Sequence, residues 1–287
     1  MNDFVIFTDS GCDLAAAILS DWGVKEVELT FKFSGEDKEY KNSEISPKEI
    51  YDRMRSGDTG KTAAINIETF KDAFRPELAE GRDVLYLAFS SGLSNTYNAG
   101  RLAAEELSEE FPDRRVIAVD TLAASAGQGL LVHLAVEMKK DGKTIEEIAR
   151  FMLENRNNMC HWFTVDDLKY LKRGGRISPT SAFVGGVLNI KPVLHVDDEG
   201  HLVNVLKVRG RRAALGELLK KYDELAIEKD GVVYICQADC KDEADELSAS
   251  LTEKFGARVE IITDIGAVIG LHAGPGTIAV FFMGKNK

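Results

Sequence analysis

Val84-Leu-Tyr-Leu-Ala-Phe-Ser-Ser-Gly-Leu-Ser-Asn-Thr-Tyr97 joins an apolar run, a glycine turn crowded with hydroxyls, and the opening of a helix. The run to Phe89 lacks polar alternation, as a strand covered on both faces of a parallel sheet does. From Ser94 to Leu107, apolar and small residues recur at helical spacing. A buried strand feeding a helix through a short turn is half of a β–α–β crossover. The flanking sequence repeats the unit. Residues 4–8 form a short apolar run, and Ser10-Gly-Cys-Asp13 reads as a capping box opening a helix that ends near Gly23. Residues 27–33 alternate as a strand, and Ser46-Pro47-x-Glu49 starts a helix with proline in its first turn. Asn66 caps a helix over 67–80, and residues 116–119 form a strand followed by a helix over 129–140. Thr144 and Glu147 make a second capping box, ahead of a helix over 145–155.

The pattern changes near Asn157. Short helices over 166–172 and 178–188 precede a hairpin of strands 191–196 and 201–208, joined by Asp197-Asp-Glu-Gly200. Helices over 213–226 and 242–255 then mix with strands over 232–236, 259–263 and 278–283. Residues 265–283 are read as strand, loop and strand, too rich in glycine, with His272 and Pro275, for a spanning helix. The fold expected is α/β with two domains: a mainly parallel, Rossmann-like domain over 1–157 and an α+β domain over 158–287. No linker rich in Pro, Gly or Ser separates them, so a ligand cleft between the domains is expected.

The chain has 287 residues, 44% hydrophobic and 29% charged, the composition of a soluble globular protein. A net charge of -11 argues against a protein that coats nucleic acid. The N-terminus shows no basic segment followed by an apolar one, so no signal peptide is read there. Four cysteines in a chain this long make no disulfide framework, and Cys236 and Cys240 lack metal-ligand spacing. A reducing cytoplasm, no metal and no stable membrane insertion are the expectations.

Candidate chemistry collects at strand ends. The hydroxyls of Ser90, Ser91 and Ser94 and the free amides of a helix start favour an oxyanion; capping alone is the competing reading. Thr8-Asp-Ser10 and Asp120-Thr121 end other strands in the same manner. Gly270-Leu-His-Ala-Gly-Pro-Gly276 places an imidazole, His272, among glycines that allow close backbone approach. Two basic clusters, 172–176 and 207–212, are solvated faces or docking patches for an acidic partner. There is no phosphate loop, no dinucleotide turn and no nucleophile elbow.

Taken together, these segments resemble the DegV family. The matching blocks are Phe7-Thr-Asp-Ser10 with Asp13-Leu14, Ser90 to Tyr97, and Asp120-Thr121 followed by Ser125-x-Gly127-x-Gly129. Leu168-x-Tyr-Leu-Lys-Arg-Gly-Gly-Arg-Ile-Ser178, Leu188-Asn-Ile-Lys-Pro192, Lys207-x-Arg-Gly210 and Ile265 to Gly276 complete the series in family order. The resemblance implies a two-domain α/β protein that binds one long-chain fatty acid between its domains. It also implies a carrier without catalysis of its own or any cofactor, presenting the acyl carboxylate to a separate ATP-dependent fatty acid kinase subunit for phospholipid synthesis in bacteria. On that pattern the carboxylate is held by Thr62, Ser94 (with Ser91 beside it) and His272. Arg173 and Arg176 match a motif that meets the kinase. Phe183, Val187 and Leu188 are candidates for the acyl tunnel, with plain core packing as the competing reading. The sequence departs from the family where Thr62-Ala-Ala-Ile-Asn66 replaces a Thr-Ser-Gln-Pro-like segment, and where Cys12 replaces a small or hydroxyl residue. An acyl hydrolase using Ser91 or Ser94 with His272 is the alternative.

Overall fold

The computed structural model describes residues 3–178 and 189–287. Strands β1 (Phe4–Asp9), β2 (Lys25–Val27), β6 (Asp83–Ala88) and β7 (Val116–Asp120) form a sheet in the order β2-β1-β6-β7, every pair parallel. Alternation within an all-apolar run explains its two coverings. Val5, Phe7, Val84 and Tyr86 pack with Phe70 and Phe74 of α3 (Ile67–Ala79) and Ala103 and Leu107 of α4 (Thr96–Glu110). Phe4, Ile6, Leu85 and Leu87 face the other way, into a core with Leu130 and Leu131 of α5 (Ala126–Lys140) and Ile148 and Met152 of α6 (Ile145–Asn155).

Beyond α6 the chain builds a second sheet. Its strands are β8 (Met159–Thr164), β9 (Ile190–Val196), β10 (Leu202–Arg209), β11 (Val232–Gln237), β12 (Arg258–Asp264) and β13 (Ile278–Met283), ordered β10-β9-β8-β13-β11-β12. Only β11 and β12 run parallel. Trp162, Val193, Val233 and Phe282 point toward α8 (Arg211–Leu225) and α9 (Lys241–Phe255). Phe163, Leu194, Tyr234 and Phe281 point the opposite way, into the same core as α5. The two sheets therefore share one interior. Among the described residues no helix is long and apolar enough to cross a membrane.

The expected elements differ from the structure at several places. The capping box at Ser10 opens no long helix. Ser10–Cys12 is a 3-10 turn, Asp13 is left-handed (φ 50°), and α1 spans only Ala16–Asp21. The Ser10 hydroxyl instead accepts the Leu29 amide at 2.9 Å, which splits the expected strand over 27–33. Lys25–Val27 joins the parallel sheet, while β3 (Thr30–Phe33) pairs with β4 (Tyr40–Lys41) and β5 (Gly60–Ala63) in a small antiparallel sheet. Residues 267–273 are a short helix, α10, rather than loop or strand, because Asp13 and Asn42 side chains accept the Gly266 and Val268 amides. The helix over 166–172 shifts to α7 (Lys169–Arg173), and the expected helix over 178–188 lies, apart from Ser178, outside the described residues. The helix starts at Ser46, Asn66 and Thr144 are as read: each side chain accepts the amide three residues on.

Asp13 joins the sheets. One carboxylate oxygen accepts from Ser125 Oγ at 2.5 Å and the other from the Gly266 amide at 2.9 Å, while its carbonyl accepts from Thr263 Oγ1 at 2.9 Å. Burial raises this carboxyl from 3.8 to about 7, against the hydrogen bonds from Ser125 and Gly266. Between those values the folded protein holds more protons than the unfolded chain. The stability from this group is complete below the unfolded value and is lost as pH rises through the folded one. Asp13→Asn keeps a carbonyl acceptor without the charge. Thermal unfolding should show its melting temperature, relative to the parent protein, rising between about pH 4 and pH 8. A difference that stays constant over that range would refute this account of Asp13.

Candidate ligand-binding site

The shared interior contains a cavity of about 310 Å³. The first sheet's side supplies Leu29, Phe89, Leu93 and Ala124; the second sheet supplies Phe163, Val196, Leu202, Ala279 and Phe281. α10 contributes Val268, Ile269, His272 and Ala273, and α7 contributes Leu171. Polar atoms enter this apolar lining at few points. Thr62, Ser94, Asn95 and Arg176 are among them, with Ser125, His161 and Thr277.

Thr62 stands on β5 and His272 in the last turn of α10, and Thr62 Oγ1 lies 2.8 Å from His272 Nε2. Burial first, then the Arg176 and Arg173 cations, lowers the His272 pKa to about 4, so the imidazole is neutral at physiological pH. Its Nδ1 is buried without a hydrogen-bond partner among the described residues. A Cβ on Gly174 would stand 2.0 Å from that nitrogen, so glycine there is what admits the ring. The neighbouring Gly175 has φ +71°, a turn conformation glycine adopts without strain. The paired glycines of the Lys-Arg-Gly-Gly-Arg motif thus have separate duties.

The serine loop divides its hydroxyls. Ser94 lines the cavity, with Oγ 2.8 Å from Thr96 Oγ1 and accepting the Thr96 amide at 3.2 Å. Ser91 is exposed and outside the lining; its amide donates to Asp120 Oδ1 at 3.2 Å. Ser90 is fully buried and donates to the Gly200 carbonyl at 2.9 Å, tying the loop to the β9–β10 turn. Neither Ser91 nor Ser94 hydrogen-bonds His272, and Asp120 serves amides of Ser91 and Leu122 rather than an imidazole. Neither serine of this loop is thus paired with His272 in the way a hydrolase needs.

The basic motif also divides. Arg173 is exposed and stacks over the Tyr170 ring at 5.2 Å. Arg176 reaches the cavity wall, where its guanidinium donates to the Leu93 carbonyl at 3.2 Å and the Gly174 carbonyl at 2.6 Å. Among the described residues its partners are these carbonyls, and burial lowers its pKa. Phe183, Val187 and Leu188 lie outside the described residues.

Polar lining residues that carried no ligand signal in the sequence include Ser125 and His161. Ser125 stands at the start of α5, where Ser125-x-Gly127-x-Gly129 signalled only a family block. His161 lies on β8, where no strand was expected; its Nδ1 donates to the Met159 carbonyl at 2.9 Å and Nε2 accepts the Ala124 amide at 3.2 Å. Burial lowers its pKa to about 3, so it too is neutral. Among the described residues no group of His, Cys, Asp and Glu is placed to hold a metal ion, and the four cysteines are free thiols.

Known proteins share this arrangement over nearly its whole length. A DegV domain-containing protein of Clostridium perfringens is 43% identical across all of this chain and 99% of its own. A Thermus thermophilus structure, described as fatty acid binding of a DegV family protein, superimposes with a TM-score of 0.87 at 33% identity, covering 97% of this chain and 98% of that one. The fatty acid kinase B3 protein of Streptococcus pneumoniae, solved with linoleic acid, matches in fold with a TM-score of 0.85 at 20% identity, over 97% or more of each chain (98% and 99%). The family model described as an uncharacterised protein of the DegV family matches residues 3–285, and this chain belongs to that family.

Proposed function

We propose that this protein binds one long-chain fatty acid between its two sheets and presents the carboxylate to a separate ATP-dependent kinase subunit, performing no chemistry itself. The observation that carries the reading is the lining: mostly apolar walls around a cavity whose polar contacts include a hydroxyl–imidazole pair. Each buried methylene contributes about 0.8 kcal/mol, so a chain of roughly 14 methylenes gains on the order of 11 kcal/mol gross. Affinity then comes from the tail. The hydroxyls of Thr62 and Ser94 and the neutral imidazole of His272 need only orient the carboxylate by hydrogen bonds. Arg176, paired among the described residues with the Leu93 and Gly174 carbonyls, adds positive potential on the wall. Exposed Arg173, three residues before it, is the contact proposed for the kinase. The solved Thermus relative, with its fatty acid binding, supports the ligand class, and the pneumococcal protein's fold supports the kinase role. The cytoplasm, where an acyl-phosphate would be consumed, is the proposed compartment.

Intact mass spectrometry of the purified protein under native conditions should show one fatty acid per chain, identified after organic extraction. Ser94→Ala and Thr62→Ala should each weaken fatty-acid binding on the order of tenfold, the loss of one hydrogen bond to a charged group. Wild-type affinity in both variants would overturn the carboxylate assignment. An apo protein that takes up no added fatty acid would overturn the ligand class. Gly174→Ala tests the same site from the other side. Its methyl group needs the space of His272 Nδ1, so the ring must swing away from Thr62 and binding should fall as it does in Thr62→Ala. Unchanged binding in Gly174→Ala would show that the pair does not hold the headgroup.

A further inference from the structure

α10 spans only Ala267–Ala273, yet it carries His272 in its last turn and Val268, Ile269 and Ala273 on the cavity wall. A helix this short does not hold itself, because nucleation costs more than so few hydrogen bonds return. Its position is imposed from outside. The Gly266 amide donates to Asp13 Oδ1 at 2.9 Å, the Val268 amide to Asn42 Oδ1 at 3.0 Å, and the Tyr51 hydroxyl to the Ile265 carbonyl at 2.7 Å. Asp13 also ties this end of α10 to a second element of the cavity wall, because its second oxygen accepts from Ser125 Oγ at the start of α5.

The backbone shows how tightly this junction is determined. Asp13 is left-handed, with φ 50° and ψ 28°, and Ser125 has φ 55° and ψ -148°, a region that side chains other than glycine's rarely occupy. Such strain persists only where the surroundings over-determine it. Here Ser125 is fixed by its hydroxyl on Asp13, by its amide on the Gly11 carbonyl at 2.7 Å, and by Cys236 Sγ at 2.8 Å from its Oγ. Ser125, held this firmly, is a fixed reference point for the Asp13 carboxyl and, through it, for Gly266 at the start of α10. His272 lies less than two turns from Gly266, so any shift at that end of α10 reaches the imidazole.

We propose that Asp13 positions His272: by holding the Gly266 end of α10, it sets where the imidazole stands against Thr62. The ligand role of this placement rests on the fatty-acid reading of the cavity, while the placement itself does not. Asp13 does not line the cavity, and its hold on His272 is exerted through α10.

The first measurement is an NMR titration of the His272 imidazole in the delipidated full chain. Asp13→Ala frees the Gly266 amide, lets α10 move and admits water to the ring. Its titration should move up from about 4 toward the ordinary value of 6.5, by about one pH unit or more. Asp13→Asn keeps an acceptor for Gly266 and can donate to Ser125 Oγ, so it should restore the parent titration. A loss of general stability would not be repaired in this selective way. The second measurement is palmitic acid binding. Asp13→Ala should weaken it on the order of tenfold, yet add less than about twofold when His272→Ala is already present. A parent-like His272 titration in Asp13→Ala, or effects that multiply in the double variant, would overturn the proposal. Should Asp13→Ala fail to fold, Thr263→Val removes only the β12 hydrogen bond to Asp13 and must shift His272 in the same direction by less. If the parent protein takes up no palmitic acid but the His272 shift appears, the fatty-acid reading falls and the positioning role stands.

Discussion

Hydrogen bonds from both sheets' sides of the molecule converge on Asp13, two on its carboxylate and one on its backbone carbonyl, and the packing of one sheet against the other depends on satisfying that buried residue. A carboxylate removed from water is tolerated only when its oxygens find donors. Here the donors are an amide at the start of α10 and a hydroxyl at the start of α5, segments more than a hundred residues apart in the chain (Ser125 and Gly266). Geometry follows from this single demand. The chain after β1 cannot continue as a helix, α10 is pinned at its origin, and the wall containing Ser125 is drawn toward the second sheet. An apolar residue in its place would satisfy the core and leave the Gly266 amide, at the start of α10, without this acceptor.

The cavity's electrostatics are those of neutral groups beside one cation. Both imidazoles on its wall, His161 and His272, are held uncharged by burial, and their hydrogen bonds, not their charge, define them. His161 has spent both ring nitrogens on backbone groups, whereas His272 spends one on a hydroxyl and leaves the other bare. Hydroxyl–imidazole pairs can reorganise around an arriving acceptor, since a hydroxyl both donates and accepts. The same polar atoms thus satisfy one another when alone and orient an anion when it is present.

What the sequence displays and what it hides differ by physical scale. Val84 to Phe89 announces a two-sided strand because both faces are covered, and Asn66 and Thr144 announce helix starts because each bonds its own neighbours. Local chemistry is legible locally. Ser10 misleads because its hydroxyl accepts an amide nineteen residues away instead of capping a helix. α10 is invisible for the same reason: its glycines argue for a loop, and only the distant Asp13 and Asn42 side chains make it a helix. At the site, the family pattern names Thr62, Ser94 and His272, which the fold brings to one cavity; Ser91, named with them, stands outside it. Arg176, which with Arg173 matches the partner motif, also reaches the wall, and nothing in Arg-Gly-Gly-Arg tells which guanidinium turns inward.

The bond from Ser90 to the Gly200 carbonyl has a mechanical meaning. Gly92 packs so closely on Glu199 and Gly200 that a Cβ there would come within 2.8 Å of their backbone atoms. The serine loop is therefore braced from behind by a hairpin turn of the opposite sheet, while its front presents Ser94 to the cavity. Loop and turn form a strut rather than two independent surfaces, and neither can open without the other. Hydrogen exchange at the Gly92 and Gly200 amides would then report one shared opening event, and its free energy measures how firmly that side of the cavity is shut.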